Sequence, residues 1–170
     1  LGDRDLATHI QRTQLLQQGA TLSEVTARLC RALGVAHCVI TMSDAPVRTV
    51  LSTDEGELSM QDYFVRRRSE PRVRSIQYRG AAQARPAPGL LAALDQARLV
   101  VICPSNPFLS VGPILALPGV RERLAAFPGL RVAVSPIVGG AALRGPAAKI
   151  MAELGHEVSS AGVAAYYRGV

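Results

Sequence analysis

The sequence predicts an α/β fold, and three observations predict it. The apolar run Leu99-Val100-Val101-Ile102 ends in Cys103-Pro104-Ser105-Asn106-Pro107, the pattern of a buried strand delivering a polar loop to its carboxyl end. The event repeats where Val132-Ala133-Val134 runs into Ser135-Pro136 and then Gly139-Gly140. Around these segments strand patterns alternate with helix patterns, as in parallel strands joined by right-handed crossovers. In an open sheet of this kind ligands bind beyond the carboxyl ends of the strands. Two polar loops at that edge point to a small, phosphorylated molecule.

Taken in order, Asp3 reads as a helix N-cap, with Leu6, Ile10, Leu15 and Leu16 at roughly helical spacing and Gly19 as the stop. Thr21 with Glu24 is a capping box for a second helix, whose stripe is Leu22, Val25, Leu29 and Leu33 and whose end is Gly34. A short strand is expected over 37–41, leading into Met42-Ser43-Asp44-Ala45-Pro46. Residues 47–52 and 57–59 flank a turn at Asp54-Glu55-Gly56 and predict a hairpin. Further strands are expected over 63–65 and 73–78. Pro86-Ala87-Pro88-Gly89 breaks the chain before a short helix over 90–97, the strand over 99–103, a helix within 111–126 and the strand over 131–135. Pro146 opens a helix that runs to Leu154, and the segment 157–167 begins as another strand. The whole describes a Rossmann-like, mostly parallel sheet with flanking helices and a small β-hairpin insertion. It is a single α/β domain over 1–170, with 47–85 as the inserted hairpin and basic region.

The chain has 170 residues, enough for one good core, and 48% hydrophobic with 19% charged residues excludes a disordered chain. Only 4% of residues are aromatic and there is no Trp, so stacking platforms for single-stranded nucleic acid are scarce. All basic residues but Lys149 are Arg, and the net charge of +6 favours an anionic ligand. Much of the excess sits at Arg66, Arg67, Arg68, Arg72, Arg74 and Arg79, without the basic helix or Cys/His finger of a nucleic-acid module. Cys30, Cys38 and Cys103 lack metal-ligand spacing, and Cys30 and Cys38, in apolar surroundings, read as buried structural thiols; with the absence of a signal peptide or membrane-length apolar run this predicts a cytoplasmic protein. The chain starts at Leu1 inside a helix start and reads as an internal portion of a longer protein.

Three strands end in hydroxyl, amide or carboxylate groups: Ser43 with Asp44, Ser105 with Asn106, and Ser135. Backbone amides of such loops cradle phosphate oxygens, and Gly139 and Gly140 permit close approach of backbone to ligand. Ordinary turn chemistry uses the same residue types at any single loop; three together favour a site. At the amino end, Asp3 and Asp5 are a carboxylate pair of the kind magnesium uses with phosphate oxygens and water, although acidic residues also favour helix N-termini for their own sake. Arg4, His9 and Arg12 lie close by in sequence. His37 and His156 have no paired ligand and read as structural or surface residues. There is no Walker loop, no G-x-G-x-x-G and no Ser-His-Asp order.

Together these segments resemble the 2-phospho-L-lactate transferase family of deazaflavin coenzyme (F-420) biosynthesis. The likeness rests on Leu1-Gly2-Asp3-Arg4-Asp5-Leu6-Ala7-Thr8-His9 with Arg12-Thr13, on Met42-Ser43-Asp44-Ala45-Pro46-Val47-Arg48-Thr49, and on Gln61-Asp62-Tyr63-Phe64-Val65-Arg66. The most specific run is Ile102-Cys103-Pro104-Ser105-Asn106-Pro107 with Ser110-Val111-Gly112-Pro113-Ile114-Leu115. Ser135-Pro136-Ile137-Val138-Gly139-Gly140 and Arg144-Gly145-Pro146-Ala147 complete it.

The resemblance implies a magnesium-dependent transfer. A guanosine-diphosphate-activated 2-phospholactate, or its phosphoenolpyruvate counterpart in some bacteria, gives its phosphoester unit to the terminal ribityl hydroxyl of the deazaflavin Fo, and GMP leaves. On this reading Asp3 and Asp5 are the catalytic, metal-holding pair. Arg4, His9 and Arg12 neutralise phosphates. Ser43, Asp44, Ser105, Asn106, Ser110, Gly112, Ser135, Gly139 and Gly140 line the donor and acceptor pocket. The family likeness implies no nucleic-acid or membrane partner and leans towards a homodimer. Family members begin with a further strand and glycine-rich loop that have no counterpart before Leu1. Two other classes stay open: a non-catalytic nucleotide- or nucleotide-sugar-binding regulator on a related fold, and a basic nucleic-acid module.

Overall fold

The computed structural model describes residues 2–170. The chain is α/β, as the sequence predicts. Helix α1 (Asp3–Gln17) is capped by Gly2, so Asp3 is its first residue and not its cap. Helix α2 (Leu22–Ala32) starts as the capping box requires: Glu24 N–H donates to Thr21 Oγ1 at 3.2 Å, and Thr21 N–H donates to Glu24 Oε2 at 2.8 Å. The two helices pack on each other, and Leu6 and Ile10 of α1 stay exposed.

Strands β1 (Arg48–Thr53), β2 (Gly56–Ser59) and β3 (Val73–Arg79) form an antiparallel sheet in the order β2-β1-β3. The hairpin turn lies where Asp54-Glu55 and Gly56 predict it. The register sets Leu51 opposite both Leu58 and Ile76, and Leu51 is fully buried on the face this creates. Helix α3 (Leu90–Gln96) leads into β4 (Leu99–Ile102), which pairs in parallel with β5 (Leu130–Ala133), and Val134 N–H extends the ladder to Ile102 O at 2.9 Å. The connection carries a π-helical turn (Pro107–Val111), α4 (Gly112–Leu115) and α5 (Val120–Ala125), split at Pro118-Gly119. A two-residue turn at Gly139-Gly140 joins β6 (Ile137–Val138) to β7 (Ala141–Ala142), followed by α6 (Ala147–Glu153) and α7 (Ser160–Tyr166).

The expectation of a mostly parallel sheet holds only for β4–β5; the other three strand pairings among the described residues are antiparallel. Short turns account for two of them: Asp54-Glu55 and Gly139-Gly140 admit only antiparallel pairing, whereas the long β4–β5 connection allows the crossover that parallel strands need. On β4–β5, Val100 and Ile102 pack against the core, while Leu99, Val101, Leu130 and Val132 are exposed on the opposite face.

Three expected strands are corrected. Residues 37–41 have no ladder partner among the described residues, and the local pairing is a single bridge from Ser43 to Pro86. Residues 63–65 belong to a π-helical turn (Asp62–Arg66). There Asp62 N–H donates to Ser59 Oγ at 3.1 Å and Ser59 Oγ donates to Asp62 Oδ2 at 2.7 Å, a capping arrangement that overrides the strand preference of Tyr63-Phe64-Val65. The segment 157–167 forms α7, because Ser159 Oγ accepts Gly162 N–H at 3.0 Å and Ala161, Ala164 and Ala165 favour helix.

The core joins Leu51, Tyr63 and Val73 of the antiparallel sheet region to Phe108, Leu115, Val120, Ile150, Met151 and Val163. At its edge lie Tyr78, Tyr166 and Tyr167 beside Phe108 and His156; the Phe108 and Tyr166 rings are 4.8 Å apart, and Tyr78 Oη donates to Phe108 O at 2.7 Å. His156 is thus a packing residue. Burial, with Tyr166 alongside, pushes the Tyr167 phenol up to about 12, and burial likewise raises Tyr78 and Tyr166. The unfolded phenols release their protons near the ordinary value of about 10 while the folded ones keep theirs, so the unfolded state binds fewer protons there. Stability is therefore expected to be unaffected by these groups below pH 10 and to fall as pH rises to 12, by about 3 kcal/mol from Tyr167 alone. Thermal unfolding measured across that range checks this, and a flat Tm would refute it.

Candidate functional site

The carboxyl end of β4 positions the central residues. After Ile102 the chain cannot continue as strand, because Pro104 and Pro107 remove donors, and Asn106 then opens the π-helical turn. Asn106 Oδ1 accepts from Phe108 N–H at 2.9 Å and from Leu109 N–H at 3.0 Å. These two bonds fix the orientation of the amide and leave Asn106 Nδ2 buried without an acceptor. Such an orphaned donor costs about 1–3 kcal/mol and marks a place where a ligand or ordered water completes the structure.

Two cavities meet at this turn. A cavity of about 310 Å³ lies between β4 and helices α3–α5, is lined mostly by apolar side chains and includes Cys103, Ser105 and Ser110. A second, of about 390 Å³, includes Asn106 and Ser110 with Met60, Phe64 and Arg144. The structure therefore brings Ser105, Asn106 and Ser110 together, with Ser110 on the wall between the two cavities. The Val134-to-Ile102 bond places the Ser135 loop beside them.

The other predicted residues have different surroundings. Ser135 Oγ donates to Ile137 O and accepts Ile137 N–H, both at 3.0 Å, which fixes the turn into β6. Gly139 and Gly140 have φ of 59° and 77°, the paired positive values that a tight hairpin turn demands, and a Cβ at either would meet open space. Gly112 is buried beneath Tyr78, so its missing side chain serves packing. Ser43 Oγ donates to Arg85 O at 2.7 Å and accepts Ala45 N–H at 3.0 Å; Asp44 Oδ1 accepts Ser23 N–H at 2.7 Å, tying the 41–44 loop to the start of α2.

Asp3, Arg4, Asp5, His9 and Arg12 all lie on α1. His9 lines one cavity along that helix and Arg4 another between α1 and α2; neither cavity contains a residue of the 103–112 loop. Two residues apart on a helix, Asp3 and Asp5 are rotated by roughly 200° and leave it in different directions. Asp5 Oδ2 also accepts Gly2 N–H at 3.4 Å. No group of three His, Cys, Asp or Glu side chains that could hold a metal occurs among the described residues. The donor chemistry still fits magnesium in one form, a single exposed carboxylate with ligand phosphate oxygens and water. Asp3, exposed and outside the capping interaction, is the better placed of the two.

Sequence reasoning named none of Met60, Phe64, Arg68, Arg144, Gly145, Pro146 and Lys149 as site residues, although Phe64 and Arg144-Gly145-Pro146 fall in the runs that carry the family resemblance; they wall the second cavity and a neighbouring one. Cys38 is exposed and Cys30 half-buried, which corrects their reading as buried thiols. Of the basic cluster, Arg66, Arg67 and Arg79 form exposed ion pairs with Asp62, Glu55 and Glu57 at 3.1, 3.2 and 2.6 Å. No helix among the described residues is long and apolar enough to cross a membrane.

Comparison with known proteins follows the same outline. The family model described as 2-phospho-L-lactate transferase CofD matches residues 1–167. A 2-phospho-L-lactate transferase of Methanosarcina mazei is 45% identical over 168 residues, covering 99% of this chain and 55% of that protein. A phosphoenolpyruvate transferase of Streptomyces griseus is 44% identical over 171 residues, covering 98% of this chain and 54% of that protein. The chain thus spans about half the length of the curated relatives it matches. Among solved structures, a protein member of the UPF0052 family from Bacillus halodurans superposes with a TM-score of 0.61 at 16% identity, covering 73% of this chain and 39% of that one, a likeness of fold.

Proposed function

The chain belongs to the 2-phospho-L-lactate transferase CofD family, and from that premise we propose that it carries part of a site transferring a phosphoester unit to a deazaflavin alcohol. The observation that carries this reading is the loop at the carboxyl end of β4, where Ser105, Asn106 and Ser110 line two adjoining cavities. The names of the relatives support a phospholactyl or phosphoenolpyruvyl unit as the group transferred; that its donor is guanylylated is what the family resemblance implies. The acceptor is the ribityl hydroxyl of Fo.

In the reaction the hydroxyl oxygen forms a bond to the phosphorus that bears the lactyl or enolpyruvyl group. The bond from that phosphorus to the bridging oxygen breaks, GMP leaves with the electron pair, and the hydroxyl proton passes to a base. A centre flanked by anions needs alignment and charge neutralisation more than covalent help. Asp3 would hold magnesium with donor phosphate oxygens, where the ion supplies charge neutralisation; Asp5 is its neighbour in the first turn. Arg4, His9 and Arg12 offer cationic or hydrogen-bonding groups along α1. Ser105, Asn106 and Ser110 orient the reactants at the strand end.

The test is to mix the protein with Fo, magnesium and enzymatically generated donor, and to look for GMP and a phosphorylated deazaflavin. Product formation supports the reading; nucleotide binding without turnover favours the non-catalytic regulator. In a turning-over preparation, Asp3→Asn is expected to lower kcat by about a hundredfold, the scale of losing a metal-held charge, with Tm unchanged because Asp3 is exposed. Undiminished turnover of that variant would remove Asp3 from the site.

A further inference from the structure

The π-helical turn that presents Asn106 and Ser110 leaves one of its carbonyls without a backbone donor. Val111 N–H donates to Asn106 O at 3.2 Å and Gly112 N–H donates to Pro107 O, the i→i+5 spacing of a π turn. The next carbonyl in that register, Phe108 O, falls to the N–H of residue 113, and residue 113 is a proline. Phe108 is buried, so water is no ready substitute. The donor comes instead from β3: Tyr78 Oη donates to Phe108 O at 2.7 Å. Gly112 makes room for it, since a Cβ there would collide with the Tyr78 hydroxyl. This bond reaches the site in one further step. Phe108 C=O and Leu109 N–H belong to one planar peptide group, and Leu109 N–H donates to Asn106 Oδ1 at 3.0 Å. A hydrogen-bond chain therefore runs from the Tyr78 hydroxyl through the 108–109 peptide to the Asn106 carboxamide, whose Nδ2 is the unmet donor.

We propose that Tyr78 is a positioning residue: its hydroxyl stands in for the donor that Pro113 withholds, and through the 108–109 peptide it sets the orientation of the Asn106 carboxamide. The chain of bonds stands on the geometry alone. Its bearing on transfer rests on the transferase reading, under which Asn106 meets its reactant already aligned. Tyr78 itself lines neither cavity and acts through Asn106.

Tyr78→Phe keeps the ring and removes the donor. The Asn106 carboxamide gives its own pair of signals in a nitrogen–proton correlation spectrum, assigned by their loss in Asn106→Ala, and this pair reports orientation without any turnover. In Tyr78→Phe the pair is expected to shift, and the Leu109 amide to exchange with solvent about tenfold faster, the scale of one hydrogen bond. The amides of α2 should keep their wild-type rates. Pro113→Ala returns an N–H to the register, so Tyr78→Phe/Pro113→Ala is expected to recover the wild-type pair and the wild-type Leu109 rate. A tyrosine that only packs would lower Tm without moving the Asn106 pair, and Pro113→Ala could not rescue its loss. In a turning-over preparation Tyr78→Phe is expected to lower kcat about tenfold at unchanged KM. If Tyr78→Phe fails to fold, the double variant decides: folded with the wild-type pair it supports the proposal, unfolded it overturns it. An unmoved Asn106 pair in Tyr78→Phe, no rescue by Pro113→Ala, or a moved pair with wild-type kcat overturns the proposal. The two claims separate in the same experiment. Wild-type turnover with an unmoved pair in Tyr78→Phe leaves the transferase and overturns the positioning role; a moved and rescued pair, without turnover by the wild type, leaves the positioning role and overturns the transferase.

Discussion

Gly112→Ala is expected to destabilise the protein by about 3 kcal/mol, the sum of overpacking and a disrupted buried hydrogen bond. Glycine is not needed there for its backbone freedom, since φ is −51° and ψ is −46°, ordinary helical values. It is needed for space. A Cβ at this position would collide with the Tyr78 hydroxyl, would lie 2.7 Å from Tyr78 Cζ, and would stand 3.1 Å from Pro107 O. Tyr78 cannot yield cheaply, because its hydroxyl donates to Phe108 O at 2.7 Å. Either that bond breaks or the 107–115 segment shifts, taking Asn106 and Ser110 with it. A chain of this length should show a Tm lower by about 6–12 °C. Tyr78→Phe removes the colliding oxygen, so Gly112→Ala should cost about 1 kcal/mol less in that background. An unchanged Tm together with impaired turnover would restore the ligand-contact role that the sequence reading gave Gly112.

What the sequence made legible follows from how local its causes are. Thr21 and Glu24 specify a helix start through their own two hydrogen bonds, so α2 could be read directly. Leu99-Val100-Val101-Ile102 reads as a strand from its short apolar run, and its parallel partner follows a crossover of readable length, but the burial that the run suggests holds on one face only, with Leu99 and Val101 exposed on the other. Residues 63–65 misled because Tyr-Phe-Val favours strand, although Ser59 and Asp62 carried an S-x-x-D helix-start signal that outweighs it. Residues 37–41 are a different failure, since a strand pattern cannot state whether a partner lies alongside. The site divides in the same way. Asn106 was singled out as a polar loop residue, but its value as a cap with one unmet donor depends on geometry. The cavity beside Asn106 was not legible because Phe64, Asn106 and Arg144 come from separate segments that only tertiary packing joins.

Glu153→Ala is expected to cost about 2–3 kcal/mol, chiefly because it leaves the buried Val73 N–H without its acceptor, with a smaller part from the partly exposed Lys149 pair. Glu153 sits at the end of α6 and binds in two directions. Its Oε2 accepts Val73 N–H at 2.9 Å, at the fully buried first residue of β3, and its Oε1 pairs with Lys149 Nζ at 2.6 Å. Lys149, the chain's single lysine, donates in turn to Pro71 O at 2.7 Å. This network fastens α6 to the strand of the antiparallel sheet some eighty residues away in sequence. Alanine leaves a buried N–H and a half-buried ammonium without their acceptor, which an exposed ion pair such as Arg79 with Glu57 would not do. Glu153→Gln keeps an acceptor for Val73 and loses only the charge, so it should cost about 1–2 kcal/mol, between wild type and alanine. Denaturant titration of the two variants decides the matter: equal losses would mean the charge matters more than the Val73 bond, and no loss in either would mean that α6 is held by Ile150 and Met151 alone.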